Sequence, residues 1–298
     1  MKIHKPVLLE ETIELLELKS GQIVVDMTAG YGGHSSKVLK AIGPKGRLIL
    51  IDQDQQAINE LKAKFADHDN VSYIHSNFAK LDWEKIGKID RALMDLGVSS
   101  PQLDEADRGF SFSKEARLDM RMDQSSELTA YYIVNEYSEE ELADIIYQFG
   151  EEKKARRIAK AIVEQRGLKR IETTTQLAEI IEKTIGSHGR INPATKTFQA
   201  IRIATNAELS SLEKVLPQVT DNLNKDGRLA VISFHSLEDR IVKNYFKKLS
   251  TSPKDPVTGM DVKSPNFRLT NRKPIKGSVF DNNPRARSAK LRAVEKIK

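Results

Sequence analysis

Aspartates close three short apolar runs, and a glycine-rich turn follows the first of them. Ile23-Val-Val25 leads into Asp26, Leu48-Ile-Leu-Ile51 into Asp52, and residues 89–94 into Asp95. The turn lies in Val25-Asp-Met-Thr-Ala-Gly-Tyr-Gly-Gly-His34. Glycines there let the backbone approach a ligand closely, and a helix opening behind them offers free N–H groups. Asp52 falls about 20 residues past the turn, where a carboxylate can accept both ribose hydroxyls of an adenosine. A lone glycine-rich turn would say little. Run, turn, helix, run and acid in series point to an adenosine-bearing cofactor rather than to a plain tight turn.

Two cofactor classes use this arrangement. In Gly30-Tyr-Gly32-Gly-His-Ser35, serine replaces the third glycine of the usual dinucleotide pattern. Asp26 would also repel a pyrophosphate. It suits S-adenosylmethionine, whose sulfonium and amino groups are cationic, so the residues favour a methyl donor over a nicotinamide dinucleotide. His34 reads two ways, as a cofactor contact or as an ordinary first-turn helix residue. Asp95 opens Asp95-Leu-Gly-Val-Ser-Ser-Pro-Gln102 at the end of its run. Ligands of open α/β sheets bind outside the carboxyl ends of strands, which aims Asp95 at the crevice of Gly32 and Asp52. The alternative is an Asx turn eased by Gly97. Phe78 could lie against adenine or in the core, and Gln102 could bond the cofactor or serve its turn. His235, Ser236 and Asp239 invite a hydrolase reading, but side chains so close on one strand-to-helix turn cannot form a relayed triad.

The elements that must hold these residues follow from periodicity. Leu8, Leu9, Ile13, Leu15, Leu16 and Leu18 recur at helical spacing before Gly21. The runs at 23–25, 48–51, 71–74 and 89–94 are strands, with helices at 35–42 and from Asp54, a capping residue, to about 66. Alternating strands and helices imply a parallel sheet with right-handed crossovers. The alternation then stops. Residues 110–209 show no strand pattern, and helices are expected at 139–149, 152–165, 174–185 and 193–209. Arg228-Leu-Ala-Val-Ile-Ser-Phe234 fits a fifth strand, followed by a helix to Leu249. Residues 251–284 are rich in Pro, Gly, Asn and Ser and are expected to be mostly loop. The expected organisation is a discontinuous sheet domain, residues 1–110 and 210–298, interrupted by an all-helical domain at 111–209.

Composition limits the classes. The 298 residues carry 48 basic and 42 acidic side chains, net +6, and no cysteine. Disulfides, thiolate zinc sites and a cysteine nucleophile are thereby excluded, and no clustered His and acid spacing suggests a metal. Glu10, Glu11, Glu14 and Glu17 are foreign to a signal peptide. No window approaches the ~20 apolar residues of a membrane span. A cytoplasmic protein is expected. The charge is uneven: residues 263–298 hold about +9, leaving about −3 for the rest. Such a basic segment suggests a polyanion, most simply nucleic acid. Within it, Ser288, Lys290 and Arg292 alternate with Ala289, Leu291 and Ala293, as in a half-buried strand. Arg285, Arg287, Lys290 and Arg292 are the candidate phosphate contacts. Arg156, Arg157, Lys160, Arg166, Lys169 and Arg170 in the helical stretch either touch RNA or form a solvated face.

Several motifs then stand in one order. The glycine-rich turn, Asp95 to Asp104, Arg108-Gly-Phe-Ser-Phe112 and Leu118-Asp-Met-Arg-Met-Asp123 are followed by Ala194 to Arg202, Ser233-Phe-His-Ser-Leu-Glu-Asp-Arg240 and Asn283-Pro-Arg-Ala-Arg-Ser288. The series closely resembles the bacterial 16S ribosomal RNA cytosine-N4 methyltransferase family, the MraW type, over nearly the whole chain. Met27 and Ala29 depart from it at positions expected to flank the cofactor. The resemblance implies a class I, Rossmann-like methyltransferase sheet with an inserted helical domain. It implies S-adenosylmethionine as donor and, as acceptor, a cytosine in the decoding region of 16S rRNA in the small ribosomal subunit. Carried over by position, the cofactor contacts are Gly32, Gly33, His34, Asp52, Phe78, Asp95 and Gln102. Asp95 is the candidate catalytic residue; it, or a backbone carbonyl in Asp95–Ser100, could accept an N4–H of the acceptor. Leu-Gly-Val follows Asp95 instead of an aromatic, so Phe110, Phe112 and Phe234 are the candidates to stack on a flipped base. The competing readings are an RNA-holding module without turnover and a nicotinamide-dependent oxidoreductase on a similar sheet.

Overall fold

Strands and helices alternate through the first third of the chain because buried parallel strands need apolar residues on both faces and helices to cover them. The computed structural model describes residues 6–186, 192–252, 254–255, 258–260, 262–277 and 284–298. Helix α1 (Leu9–Leu16) precedes β1 (Ile23–Asp26), α2 (Gly33–Ile42), β2 (Arg47–Asp52) and α3 (Gln55–Lys64). There follow β3 (Val71–His75), a short α4 (Trp83–Ile86) and β4 (Ile89–Asp95). Asp54 caps α3 as expected, accepting from the Gln56 N–H. The chain divides into two compact units, residues 1–97 with 209–298, and residues 98–208. The second begins at Val98 rather than at 111, because Val98, Leu103 and Phe110 pack with the helical core that follows.

That second unit holds α5 (Ser100–Asp104), α6 (Ala130–Glu136), α7 (Glu139–Gly150), α8 (Ala155–Leu168), α9 (Thr174–Ile185) and α10 (Ala194–Asn206). Its core gathers Ile133, Leu142, Ile146, Ile158, Ile162, Leu177, Ile181 and Phe198. Capping boxes start α5, α7 and α9 at Ser99, Ser138 and Thr173. Helix α6 was not expected. Within its short run stands a buried polar post, Asn135, bonding the backbone of Tyr131 and Ile171.

The first unit resumes with α11 (Glu208–Asn222), β5 (Leu223–Ser233) and α12 (Ser236–Leu249). Residues 251–284, expected as loop, also contribute β6 (Phe267–Leu269) and β7 (Ile275–Lys276), and β8 (Lys290–Lys296) follows. The sheet runs β3-β2-β1-β4-β5-β8-β6, with β7 also on β8. Strands β1 to β5 are parallel, and β8 is antiparallel to β5, β6 and β7. The fold is therefore α/β, a Rossmann-like sheet whose sequence is interrupted by an all-helical unit. Strand order reverses between β1 and β4, so the crevice expected to bind ligand lies past their carboxyl ends. Val25, Ile51, Met94, Val231 and Phe246 pack one face, and Val24, Leu39, Leu48, Leu50 and Leu61 the other. Among the described residues no helix is long and apolar enough to cross a membrane.

Candidate cofactor and active site

Parallel pairing sets Asp26 opposite Leu93, so Asp95 ends β4 just beyond Asp26 on the neighbouring strand. Asp52 ends β2 on the other side of β1. The turn between β1 and α2 is tied to both neighbours. The Gly30 N–H donates to Asp52 Oδ2 at 2.8 Å. The Asp95 N–H donates to Thr28 Oγ1 at 2.6 Å. Gly32 takes φ +72, and a Cβ there would stand 2.9 Å from the Phe65 ring. From the end of α3, Lys64 Nζ donates to the carbonyls of Tyr31 and Gly32 at 2.9 and 2.8 Å. Thr28 and Lys64 are positioning residues that sequence reasoning missed, since neither type in isolation signals a site.

The acids are held in different ways. Asp26 is buried, and its Oδ2 accepts from Ser35 Oγ at 2.6 Å. Burial pushes its carboxyl up to about 6, against the bonds from Ser35 and Thr28. Asp52 is half-buried and accepts from the Gly30 and Asp54 N–H groups. Burial moves it, too, up to about 6. Asp95 lies well above the usual carboxylate range, first through burial and then through Asp26 and Glu238. Its Oδ1 is buried with no hydrogen-bond partner among the described residues. Glu238, in the first turn of α12, is buried and accepts from the Phe234 N–H at 2.8 Å.

His34 is 5% exposed. Its Nε2 lies 3.2 Å from the Val7 carbonyl oxygen, which fixes the proton on Nε2. Nδ1 lies 3.6 Å from Asp95 Oδ2, beyond hydrogen-bond reach. Burial lowers the imidazole to about 4, so the ring is neutral near pH 7. Both nitrogens therefore face groups of the protein. Phe78 is half-buried at the end of β3, packed on one side against the core. Gln102 belongs to the helical unit, where its Oε1 accepts from the Ser99 N–H at 3.0 Å to complete a capping box.

These residues fit S-adenosylmethionine. A Cβ at Gly30 would meet nothing within 4 Å, so the turn leaves room for a ligand at its apex. Asp52 retains lone pairs for ribose hydroxyls, Phe78 offers a half-open ring, and the surrounding acids suit a cation. Burying a pyrophosphate beside the same acids would add repulsion at low dielectric.

The candidate RNA contacts fare differently. Lys290 Nζ and Arg292 Nε bond the two oxygens of Asp239 at 2.8 and 2.7 Å. Asp239 of α12 meets both where that helix packs on β8, so part of their charge is balanced within the protein. Arg287 is exposed, and the Arg285 side chain lies outside the described residues. The pairing of Asp239, with His235 Nε2 3.2 Å from Glu238 Oε1, also leaves no Ser-His-Asp relay. Of the candidate stacking rings, Phe110 is buried and Phe112 packs edge-on to Phe198 at 4.8 Å. Phe234 is half-buried, 3.5 Å from where a Cβ on Gly97 would stand, at the Asp95 end of the sheet.

The MraW methylase family profile matches residues 1–297. "Ribosomal RNA small subunit methyltransferase H" of Clostridium botulinum (strain Kyoto / Type A2) is 50% identical over 305 residues, covering 99% of each chain. The protein of that name from Clostridioides difficile (strain 630) is 48% identical over 308 residues, again covering 99% of each. The one from Halothermothrix orenii is 45% identical over 307 residues, covering 99% of this chain and 98% of its own. With nearly its full length matched and half its residues shared, the chain belongs to the MraW methylase family.

Proposed function

We propose that this methylase transfers the methyl group of S-adenosylmethionine to N4 of a cytosine in the decoding region of small-subunit ribosomal RNA. The observation that carries this reading is the buried Asp95 Oδ1 without a partner, set among acids at the sheet's switch point. The bound cofactor supplies an electrophilic methyl on a positive sulfur. Asp26 and Asp95 stabilise that positive charge, and Asp52 orients the ribose. The backbone of Gly32 and Gly33 lies against the cofactor, with Phe78 beside the adenine. Cytosine N4 is a poor nucleophile because its lone pair is delocalised into the ring. Asp95 Oδ1 accepts one N4–H, which localises the lone pair and holds it in line with the methyl group. As the N–C bond forms, nitrogen becomes cationic, and Asp95 takes the proton it sheds. Phe234 supplies the stacking face for the flipped base.

The name its relatives carry supports ribosomal RNA of the small subunit as the acceptor. The helical unit and Arg287 are assigned to RNA recognition, the assembled small subunit is the proposed substrate, and the cytoplasm is the proposed compartment. The test uses methyl-labelled S-adenosylmethionine with small subunits lacking native methylation, followed by digestion and nucleoside analysis. Label in N4-methylcytidine is expected. Label on another nucleoside overturns the acceptor assignment. Cofactor binding without any transfer overturns the catalytic reading in favour of an RNA-holding module.

A further inference from the structure

Lys290 and Arg292 are paired with Asp239, and beside exposed Arg287 the first unit holds a further strip of positive charge. Helix α12 carries it. Its inner face is apolar, with Val242 and Phe246 buried and Ile241, Tyr245 and Leu249 half-buried against the sheet. Its outer face carries Arg240, Lys243, Asn244, Lys247 and Lys248, all exposed. After Asp239 no acid occurs on the helix. Among the described residues, the Lys243, Lys247 and Lys248 side chains make no hydrogen bond or ion pair. An open groove of about 430 Å³ lies at the edge of this face, between α12 and α11, lined by Arg240, Asn244 and Lys248 together with Ile241, Tyr245 and, from α11, Glu213 and Leu216. A second of about 620 Å³ continues past Lys247 and Lys248 to Thr251 and Ser252.

We infer that the outer face of α12 is the track for the phosphate backbone of the substrate RNA strand, with Lys243, Lys247 and Lys248 as its phosphate contacts. The inference rests on the RNA methyltransferase reading above and adds the surface along which the strand runs. Position supports it: α12 begins at the carboxyl end of β5, beside the end of β4 where Asp95 stands. A strand whose base enters at Asp95 therefore meets the start of this helix. Spacing supports it as well. Lys243 and Lys247 are one turn apart, about 6 Å along the axis at ~1.5 Å per residue, close to the separation of neighbouring phosphates on an extended strand. An amphipathic helix needs polar residues outside, but lysines without interleaved glutamates to pair them leave a positive strip that attracts a polyanion. Asn244, Thr251 and Ser252 add neutral donors suited to phosphate and sugar oxygens.

The test is the salt dependence of RNA binding. The triple variant Lys243→Gln, Lys247→Gln, Lys248→Gln is compared with wild type and with a control of equal charge, Lys40→Gln, Lys45→Gln, Lys62→Gln, whose exposed lysines lie on other elements of the same unit. Binding to unmethylated small subunits and to a single-stranded decoding-region RNA is measured from about 50 to 200 mM salt. Each phosphate contact contributes about 0.7 to the slope of log affinity on log salt for a single strand, so the α12 variant should lose about 2 from the slope. Its affinity deficit at low salt then shrinks on the order of tenfold across that range. Cofactor affinity and the rate of N4-cytidine methylation at saturating RNA stay at wild-type values. An unchanged slope, or an equal loss in the control, overturns the α12 track while leaving the methyltransferase reading intact. Absence of N4-methylcytidine with wild-type protein overturns that reading instead, and the binding slopes still report on the track.

Discussion

Cofactor affinity should fall steeply below pH 6, and the site's acids set the size of the fall. Asp26 and Asp52 both stand at about 6, raised by burial from 3.8. Only their ionised forms favour a cation or accept two ribose hydroxyls. At pH 7.5 each is almost wholly ionised; at pH 5 each is about one-tenth ionised, so each weakens binding about tenfold. Two independent acids give a drop on the order of a hundredfold. Calorimetric titration of S-adenosylmethionine from pH 5 to 7.5, in buffers of different ionisation enthalpy, reads both affinity and the protons released. Asp26→Asn should leave about a tenfold drop, from Asp52 alone. The sign for stability is opposite. A carboxyl raised from 3.8 to about 6 holds a proton in the fold that the unfolded chain has lost, so its contribution declines as pH rises from about 4 to 6. Asp119 and Asp239 are lowered from the ordinary value and titrate below that window. A dissociation constant flat from pH 5 to 7.5 in folded protein would refute the assignment of these acids to the cofactor.

Lys64→Met removes two charge-assisted bonds to the glycine-rich turn. At a partly exposed lysine these are worth about 1–2 kcal/mol together. Cofactor affinity should weaken about 5- to 30-fold in equilibrium binding, with the single-turnover rate at saturation nearly unchanged; unaltered affinity would show that the turn holds without Lys64. Asp95→Asn keeps the shape but cannot take the N4 proton, so single-turnover methylation should slow by at least about 10²-fold, and near-normal turnover would remove Asp95 from proton transfer. Phe246→Ala opens a cavity at a side chain 1% exposed beneath α12. Chemical denaturation should report a loss of about 3–5 kcal/mol, and a loss below ~1 kcal/mol would mean that the core closes around the gap.

The sheet from β1 to β4 was legible because its strands are buried on both faces and read as short apolar runs, each closed by an acid or a polar residue. The acids themselves were legible for the same reason: a charge at the end of an apolar run must sit where a parallel strand emerges. Helix α11 has its pattern in Leu212, Val215, Leu216 and Val219, but Pro217 interrupts it and removes one backbone donor. Strands β6 and β7 are short strands in a stretch of loop composition, and both pair with β8. Tertiary partners decided the remaining cases. Arg292 alternates with apolar neighbours as an exposed cation would, and nothing in that pattern predicts Asp239, distant in sequence, at 2.7 Å. Thr28 and Lys64 carry no signal of their own, because their bonds are to backbone atoms on other elements.

The order of strands also bears on how the chain is built. Strand β8 lies between β5 and β6 although it follows both in the chain, and β5 pairs with β4 across the whole inserted unit. The helical unit draws its core from one continuous stretch, so it can mature while translation proceeds. The sheet must keep the open edge of β4 unpaired until β5 emerges, and that of β5 until β8 leaves the tunnel. A nascent chain stalled before residue 290 would therefore present one folded unit and one incomplete sheet, the state most exposed to edge-to-edge association and to quality control.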